Sequence, residues 1–79
     1  MENKFTWGDP VIIKKSAPRN FHPGEFASVC GLYKITSEES ASKFKCKIGD
    51  WIYTIEFTDG SDMQIAESYL ENYENNKLS

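Results

Sequence analysis

The sequence predicts a mainly β protein, built as a small, strongly bent barrel of four to five antiparallel strands. The stretch "DWIYTIEF" alternates apolar residues with others at the two-residue period of a strand. Asp59-Gly60 follows it and is the strongest short signal for a β-hairpin. The strand predicted over 25–35 carries apolar residues on both faces. A flat sheet of this size would leave one of these faces exposed to solvent. A bent sheet is therefore expected, and closing it also removes exposed edges.

A chain of 79 residues is expected to form a single domain. We expect the barrel to span about residues 8–74, with loose termini at 1–7 and 75–79, and packing of Phe5 and Trp7 onto the domain is the alternative for the N-terminal segment. Two tryptophans, four tyrosines and five phenylalanines supply most of the core, because each ring buries a large apolar area. No secretory leader pattern and no apolar run of membrane-spanning length occurs in the sequence. A cytoplasmic location is the resulting expectation.

The first strand is predicted within "DPVIIKK", where Val11 and Ile13 share one face. The stretch that follows, "SAPRNFHPGEF" at 16–26, is predicted to be mainly a structural connection. Pro18 and the turn at Pro23-Gly24 set its path, because proline fixes its own φ and glycine accepts a positive one. The groups in it that are available to a partner are Arg19, Phe21 and His22.

The second strand is predicted over 25–35, with one face formed by Ala27, Val29, Gly31, Tyr33 and Ile35. The apolar period then changes, and a short helical insertion is predicted at about 37–46. Thr36 or Ser37 can cap its start, and Thr36 with Glu39 has the spacing of a capping box. Gly49 is expected to end it.

The third strand lies in "DWIYTIEF", and its apolar face consists of Trp51, Tyr53, Ile55 and Phe57. The chain returns after the hairpin through "SDMQIA", with Met63 and Ile65 pointing inward. Residues 67–75 are predicted to form a helical turn or short helix that packs back through Tyr69, Leu70 and Tyr73. The residues expected to be most deeply buried are Val29, Trp51, Ile55, Phe57 and Ile65.

These segments follow one another in the order common to Src-homology-3-like barrels, which the sequence resembles over about residues 8–74. The resemblance is carried by "DPVIIKK", "PGEFASVCG" and "WIYTIEFTDGSDMQIAESYLE". It implies that the last hairpin, a helical turn and a closing segment seal the barrel. The helical insertion at 37–46 departs from a minimal barrel of this kind. Because the matching motifs are generic, the resemblance is informative about fold and much less so about function.

A narrower resemblance concerns "GDPVIIKKSAPR", "HPGEFASVCG" and "GDWIYTIEFTDGSDMQIAESYLE". Together they resemble small bacterial immunity proteins of polymorphic toxin systems. Such proteins bind and neutralise a cognate toxin domain made by the same cell. This resemblance implies a binding function without catalysis, and it assigns no site residue.

Motifs of enzymes and cofactor sites are absent from the sequence: it has no G-x-S-x-G, no phosphate-binding glycine loop and no H-E-x-x-H. Cys30 and Cys46 form no C-x-x-C pair, and with the single His22 they do not make a zinc ligand set. We expect two reduced, largely buried thiols, with a disulfide between them as the alternative. Cys30 belongs to an apolar strand, where a thiol is usually inert. The prediction is a protein with no enzymatic activity, cofactor or metal.

The net charge of −3 is unevenly distributed along the chain. Residues 1–49 carry eight Lys or Arg against five acids, whereas residues 50–79 carry one Lys against seven acids. No long basic stripe is present, which disfavours nucleic acid as a partner. An acidic surface that attracts a basic protein is the functional interpretation, and a merely solvated acidic face is the alternative.

The predicted function is therefore binding of a protein partner, with a basic toxin domain as the favoured case. Glu56 points away from the apolar face of its strand, Asp59 and Asp62 belong to the hairpin, and Glu67 and Glu71 are spaced to share one side of a helical turn. A generic peptide-binding or accessory module is the alternative function. The predicted partner-binding residues are Glu56, Asp59, Asp62, Glu67 and Glu71, with Arg19 and Phe21 from the loop.

Overall fold

Five antiparallel strands form one open sheet in the computed structural model, which describes residues 3–73. They are β1 (Pro10–Ile13), β2 (Phe26–Lys34), β3 (Trp51–Glu56), β4 (Asp62–Ala66) and β5 (Leu70–Asn72), and their order is β4-β3-β2-β1-β5. One helix, α1 (Glu38–Phe44), and two 3-10 turns (Arg19–Phe21 and Glu67–Tyr69) complete the elements. The predicted fold class is confirmed: the protein is mainly β, with a helical insertion and a C-terminal helical turn, in agreement with a small barrel-like fold.

The main core lies on one face of the sheet, which we call the inner face. Val29, Ile55 and Ile65 are almost completely buried there, as the alternation predicts. Trp51 and Phe57 are only half buried, so the prediction that they lie deep in the core is wrong. Trp51 is the first residue of β3 and Phe57 follows its last, so neighbouring strands cover each of them from one side only.

The N-terminal segment is packed onto this core at Phe5, the alternative that the sequence left open for this residue. The Phe5 side chain is 5% exposed, and its ring meets the Tyr53 ring edge-to-face with centroids 5.5 Å apart. The Phe5 amide donates to the Tyr53 hydroxyl at 3.1 Å, and the Gly8 amide donates to the Val29 carbonyl at 2.8 Å. Trp7 lies between these anchors and is 71% exposed.

A second core lies on the opposite, outer face of the sheet, beneath α1. Ile52 is fully buried there, opposite Ala66 of β4, and Ala41 and Phe44 of the helix pack onto both. Of the two predicted caps, the helix uses Ser37, whose hydroxyl accepts a hydrogen bond of 3.2 Å from the Ser40 amide, and the capping box of Thr36 and Glu39 is not formed. It ends where Lys45 adopts a left-handed conformation, before Gly49.

A β-bulge at Cys30 changes which side chains of β2 point inward. Val29 pairs with Ile55 but Gly31 pairs with Thr54, so Cys30 is an extra residue without a partner of its own on β3. Beyond the bulge, Leu32 faces inward, and Tyr33 moves to the outer face with 37% exposure. The prediction that Tyr33 shares a face with Val29 is therefore wrong, because one inserted residue shifts the two-residue alternation.

The β3–β4 hairpin has the predicted turn. The Gly60 amide donates to the Phe57 carbonyl at 3.0 Å, and the Phe57 amide donates to the Ser61 carbonyl at 2.8 Å. Gly60 has a φ of +90°, a conformation that glycine adopts without strain. The turn therefore holds β3 and β4 in a fixed register, with Glu56 opposite Asp62.

The prediction of a helical turn or short helix over 67–75 holds for Glu67–Tyr69 and is wrong for Leu70–Asn72, and residues 74 and 75 lie outside the described part of the chain. A single 3-10 turn at Glu67–Tyr69 leads directly into β5, which pairs with β1. Leu70 is buried opposite Ile13, so the pairing and burial offered by a distant strand prevail over the local helical spacing.

The connection between β1 and β2 is closed by backbone hydrogen bonds. The Gly24 amide donates to the Ile13 carbonyl at 2.7 Å, and the Ile13 amide donates to the Glu25 carbonyl at 3.0 Å. His22 adopts a left-handed conformation, and its Nδ1 lies 3.2 Å from a carboxylate oxygen of Glu25. Among residues 3–73, no helix is long and apolar enough to cross a membrane.

Candidate functional site

Three of the predicted acidic residues lie together on the β3–β4 hairpin. They are Glu56, Asp59 and Asp62, and we call the part of the hairpin that carries them the acidic hairpin. Glu56 and Asp62 are register partners on β3 and β4, so their side chains project side by side from the outer face. All three are exposed. No Lys or Arg within residues 3–73 lies at ion-pair distance from any of them. With three exposed acids, this hairpin carries a concentrated negative charge. Glu56 and Asp62 repel each other, because like charges directly opposite on a ladder are destabilising.

Asp59 is held in place by the turn itself. Its Oδ1 accepts hydrogen bonds from the Ser61 hydroxyl at 2.6 Å and from the Ser61 amide at 2.9 Å. These bonds lower the pKa of the Asp59 carboxyl below its usual range, so it is ionised at neutral pH. The negative charge at the hairpin tip therefore has a fixed position.

The negative field of the hairpin extends along the outer face as far as the bulge. Partial burial raises the pKa of the Cys30 thiol, and the charges of Glu56 and then Asp62 raise it further. A thiol with a raised pKa is a weak nucleophile. Cys30 is free and half buried, as is Cys46, where the sequence predicts largely buried thiols. No group of side chains within residues 3–73 is arranged to hold a metal ion.

Glu67 does not belong to the acidic hairpin. Its Oε2 accepts a hydrogen bond of 2.6 Å from the Tyr53 hydroxyl and one of 2.9 Å from the Lys4 amide. Burial and the hydrogen bond to Glu67 raise the pKa of Tyr53 well above its usual range, so the hydroxyl remains a donor. Glu67 therefore ties the N-terminal segment to the core.

Glu71 is also separated from the hairpin. It lies on β5, opposite Ile12 of β1, at the other edge of the sheet from β4. The expectation that Glu67 and Glu71 share one side of a helical turn is wrong, because Glu71 lies in the strand Leu70–Asn72.

A second surface, which we call the β4 groove, is a cleft of about 430 Å³ between the first 3-10 turn, the end of α1 and β4. Phe21 lies in it, half buried, with its ring 5.5 Å from the ring of Tyr69. Arg19 lies in the same 3-10 turn and is exposed, but it does not line the groove. Lys43 of α1 and Lys45, the C-cap of this helix, line the groove on the side of the helix. The lining residues are Pro18, Asn20, Phe21, Lys43, Phe44, Lys45, Gln64, Ile65, Ala66 and Tyr69.

Sequence reasoning finds only Phe21 of this groove as a contact residue. The other walls come from segments far apart in the chain, and no local pattern links Lys45 to Gln64 or Tyr69. The sequence signal that indicates the groove is the end of the helical insertion, where lysines lie on both sides of Phe44. No protein-family model, no curated protein and no solved structure matches this chain.

Proposed function

We propose that this protein is a non-enzymatic binding module that captures a basic protein partner through the acidic hairpin, most specifically as an immunity protein that neutralises a cognate toxin. The observation that carries the proposal is the exposed pair of Glu56 and Asp62. They face each other across the ladder, with no Lys or Arg of residues 3–73 at ion-pair distance. The resemblance of the sequence to immunity proteins of polymorphic toxin systems supports the same function.

The physical reason is that the free protein maintains an unfavourable charge pair which a partner relieves. Carboxylates held side by side repel in the free state, and an arginine or lysine placed between them turns repulsion into attraction. Asp59 adds a third charge whose position is set by its hydrogen bonds to Ser61. Concentrated charge on one side of a small protein also accelerates encounter with a partner of opposite charge.

The test is co-expression with the products of the genes next to this one. We expect one of them to arrest growth and this protein to restore it. The Glu56→Lys/Asp62→Lys variant should lose protection. The control is Glu38→Lys/Glu39→Lys, which makes the same change in net charge on the exposed first turn of α1 and should protect fully. The proposal fails if no neighbouring product is toxic, or if both variants protect as well as the parent.

A second candidate function is peptide binding in the β4 groove, and the groove itself is the observation that favours it. Its volume falls in the range of roughly 300–1,000 Å³ typical of ligand sites. Phe21, Phe44 and Tyr69 supply aromatic surface there, and Lys43 and Lys45 supply positive charge. Chemical-shift mapping with peptide mixtures tests this function, because peptides bound in the groove shift these five residues and leave the hairpin unchanged.

A further inference from the structure

The outer edge of β4 has backbone groups directed away from the sheet. Among the described strands, β4 pairs only with β3. The Phe57 amide donates to the Ser61 carbonyl at 2.8 Å, and hydrogen-bonded pairs alternate along an antiparallel ladder. The N–H and C=O groups of Gln64 and Ala66 therefore point away from β3.

The β4 groove runs along this same edge, since Gln64, Ile65 and Ala66 all line it. Ile65 belongs to the inner core, against which Phe21 packs. Ala66 belongs to the outer core, against which Phe44 packs. The two walls of the groove thus continue the two faces of the sheet beyond its last strand.

The two walls differ in chemistry. Phe21 makes the wall on the inner side apolar, and Tyr69, whose ring lies 5.5 Å from that of Phe21, packs against both cores. Lys43 and Lys45 stand with Phe44 on the outer side, and Nζ of Lys43 lies 5.4 Å from the centroid of the Phe44 ring. Successive side chains of a strand point to opposite faces, so a strand lying here presents every second residue to each wall.

We propose that the edge of β4 binds an extended peptide by strand addition, and that the peptide alternates acidic and apolar residues. Its backbone pairs with the outward N–H and C=O groups of Gln64 and with the N–H of Ala66, because the Ala66 carbonyl accepts the first hydrogen bond of the 3-10 turn that follows. Its apolar side chains contact Phe21 and Tyr69, and its carboxylates approach Lys43 and Lys45. In this mode main-chain hydrogen bonds supply affinity, and the two walls select the sequence. The inference rests on the second candidate function and is independent of the acidic hairpin.

The experiment uses the full chain, labelled with ¹⁵N, and a blocked hexapeptide of alternating glutamate and valine. The peptide should shift the groove residues and slow the hydrogen exchange of the Gln64 and Ala66 amides. A matched peptide of alternating lysine and valine should bind on the order of tenfold more weakly, since its charges face Lys43 and Lys45. Two further glutamate–valine peptides carry N-methyl groups on all valine amides or on all glutamate amides. One should lose binding and the other retain it, because alternate amides of an added strand face β4.

Charge reversal on the protein gives a second, independent readout. The Lys43→Glu/Lys45→Glu variant should prefer the lysine–valine peptide, whereas the control Lys15→Glu/Lys34→Glu, changed at exposed sites outside the groove, should keep the parent's preference. Shifts in the groove without slowed exchange at Gln64 and Ala66, or equal binding of both N-methylated peptides, would overturn strand addition and leave the groove as a binding site. No shift anywhere in the groove would overturn both.

Discussion

The hydroxyl of Tyr53 donates a hydrogen bond of 2.6 Å to the carboxylate of Glu67, and this contact joins three distant parts of the chain. The same hydroxyl accepts from the Phe5 amide at 3.1 Å, and the same carboxylate accepts from the Lys4 amide at 2.9 Å. The N-terminal segment, β3 and the second 3-10 turn therefore meet at one polar cluster. Glu67 has a structural role, which separates it from the acids of the hairpin.

Tyr53→Phe should destabilise the fold although it leaves the ring in place. The substitution removes the acceptor of the buried Phe5 amide, and an unsatisfied buried donor costs about 1–3 kcal/mol. Tyr33→Phe is the matched control, because the Tyr33 side chain is 37% exposed and should lose little. Urea unfolding of the two variants measures the difference, and equal midpoints would contradict this role of the hydroxyl.

The same hydroxyl should make stability fall in alkaline solution. Burial and the hydrogen bond to Glu67 raise the pKa of Tyr53 in the folded state. The contribution of the Tyr53 hydroxyl to the free energy of unfolding is therefore complete below pH about 10, which is the usual tyrosine pKa in an unfolded chain. Above that pH the unfolded state releases the proton first, so the free energy of unfolding decreases. Unfolding curves from pH 8 to pH 11 should show a steeper decrease for the parent than for Tyr53→Phe, and parallel curves would refute the linkage.

Ile52→Ala should cost about 2–5 kcal/mol, which is the range for truncation of a buried aliphatic residue. Ile52 is fully buried between the sheet and α1, on the face opposite the main core. The comparison is Ile55→Ala, which removes the same atoms from the inner face and should cost a similar amount. If thermal or urea unfolding showed Ile52→Ala to behave like a surface substitution, the helix would not cover a second core.

Glu56→Gln should stabilise the free protein, because it removes one member of a like-charge pair. The repulsion within such a pair lowers the free energy of unfolding by roughly 0.2–1 kcal/mol. Glu38→Gln removes the same charge from the first turn of α1, where an acid favours the helix, and should have the opposite sign. Unfolding of both variants at low salt gives the comparison. A destabilising Glu56→Gln would mean that the pair is not held under repulsion.

Local patterns are sufficient to predict β1 to β4 and the hairpin. The alternation around Tyr53 and Ile55 identifies the inner face of β3, and Asp59-Gly60 identifies the turn. Each of these signals lies within a few neighbouring residues, and the structure contains both features. The helical insertion is also visible from its change of period, and its cap is Ser37, one of the two residues that the sequence offers for it.

The remaining features depend on partners that are distant in the sequence. The bulge at Cys30 is defined by what pairs with β3, and it reverses the direction of Tyr33. Leu70 belongs to a strand because β1 lies beside it, whereas its local spacing also suits a helix. For the candidate site, the sequence places Glu56, Asp59 and Asp62 together because one hairpin contains them. The hydrogen bond between Glu67 and Tyr53 is not predictable from local patterns, because Tyr53 lies on another strand.

The central claim is that the acidic hairpin recognises a basic partner, and the association rate tests it most directly. The rate is measured with the product of the neighbouring gene at low and at high salt, for the parent, Glu56→Lys/Asp62→Lys and Glu38→Lys/Glu39→Lys. Asp59 is left unchanged, because it also holds the turn through Ser61. The account predicts that the hairpin variant associates on the order of tenfold or more slowly at low salt, with the difference shrinking as salt rises, while the helix variant stays near the parent. Equal rates for the parent and the hairpin variant at low salt would contradict it.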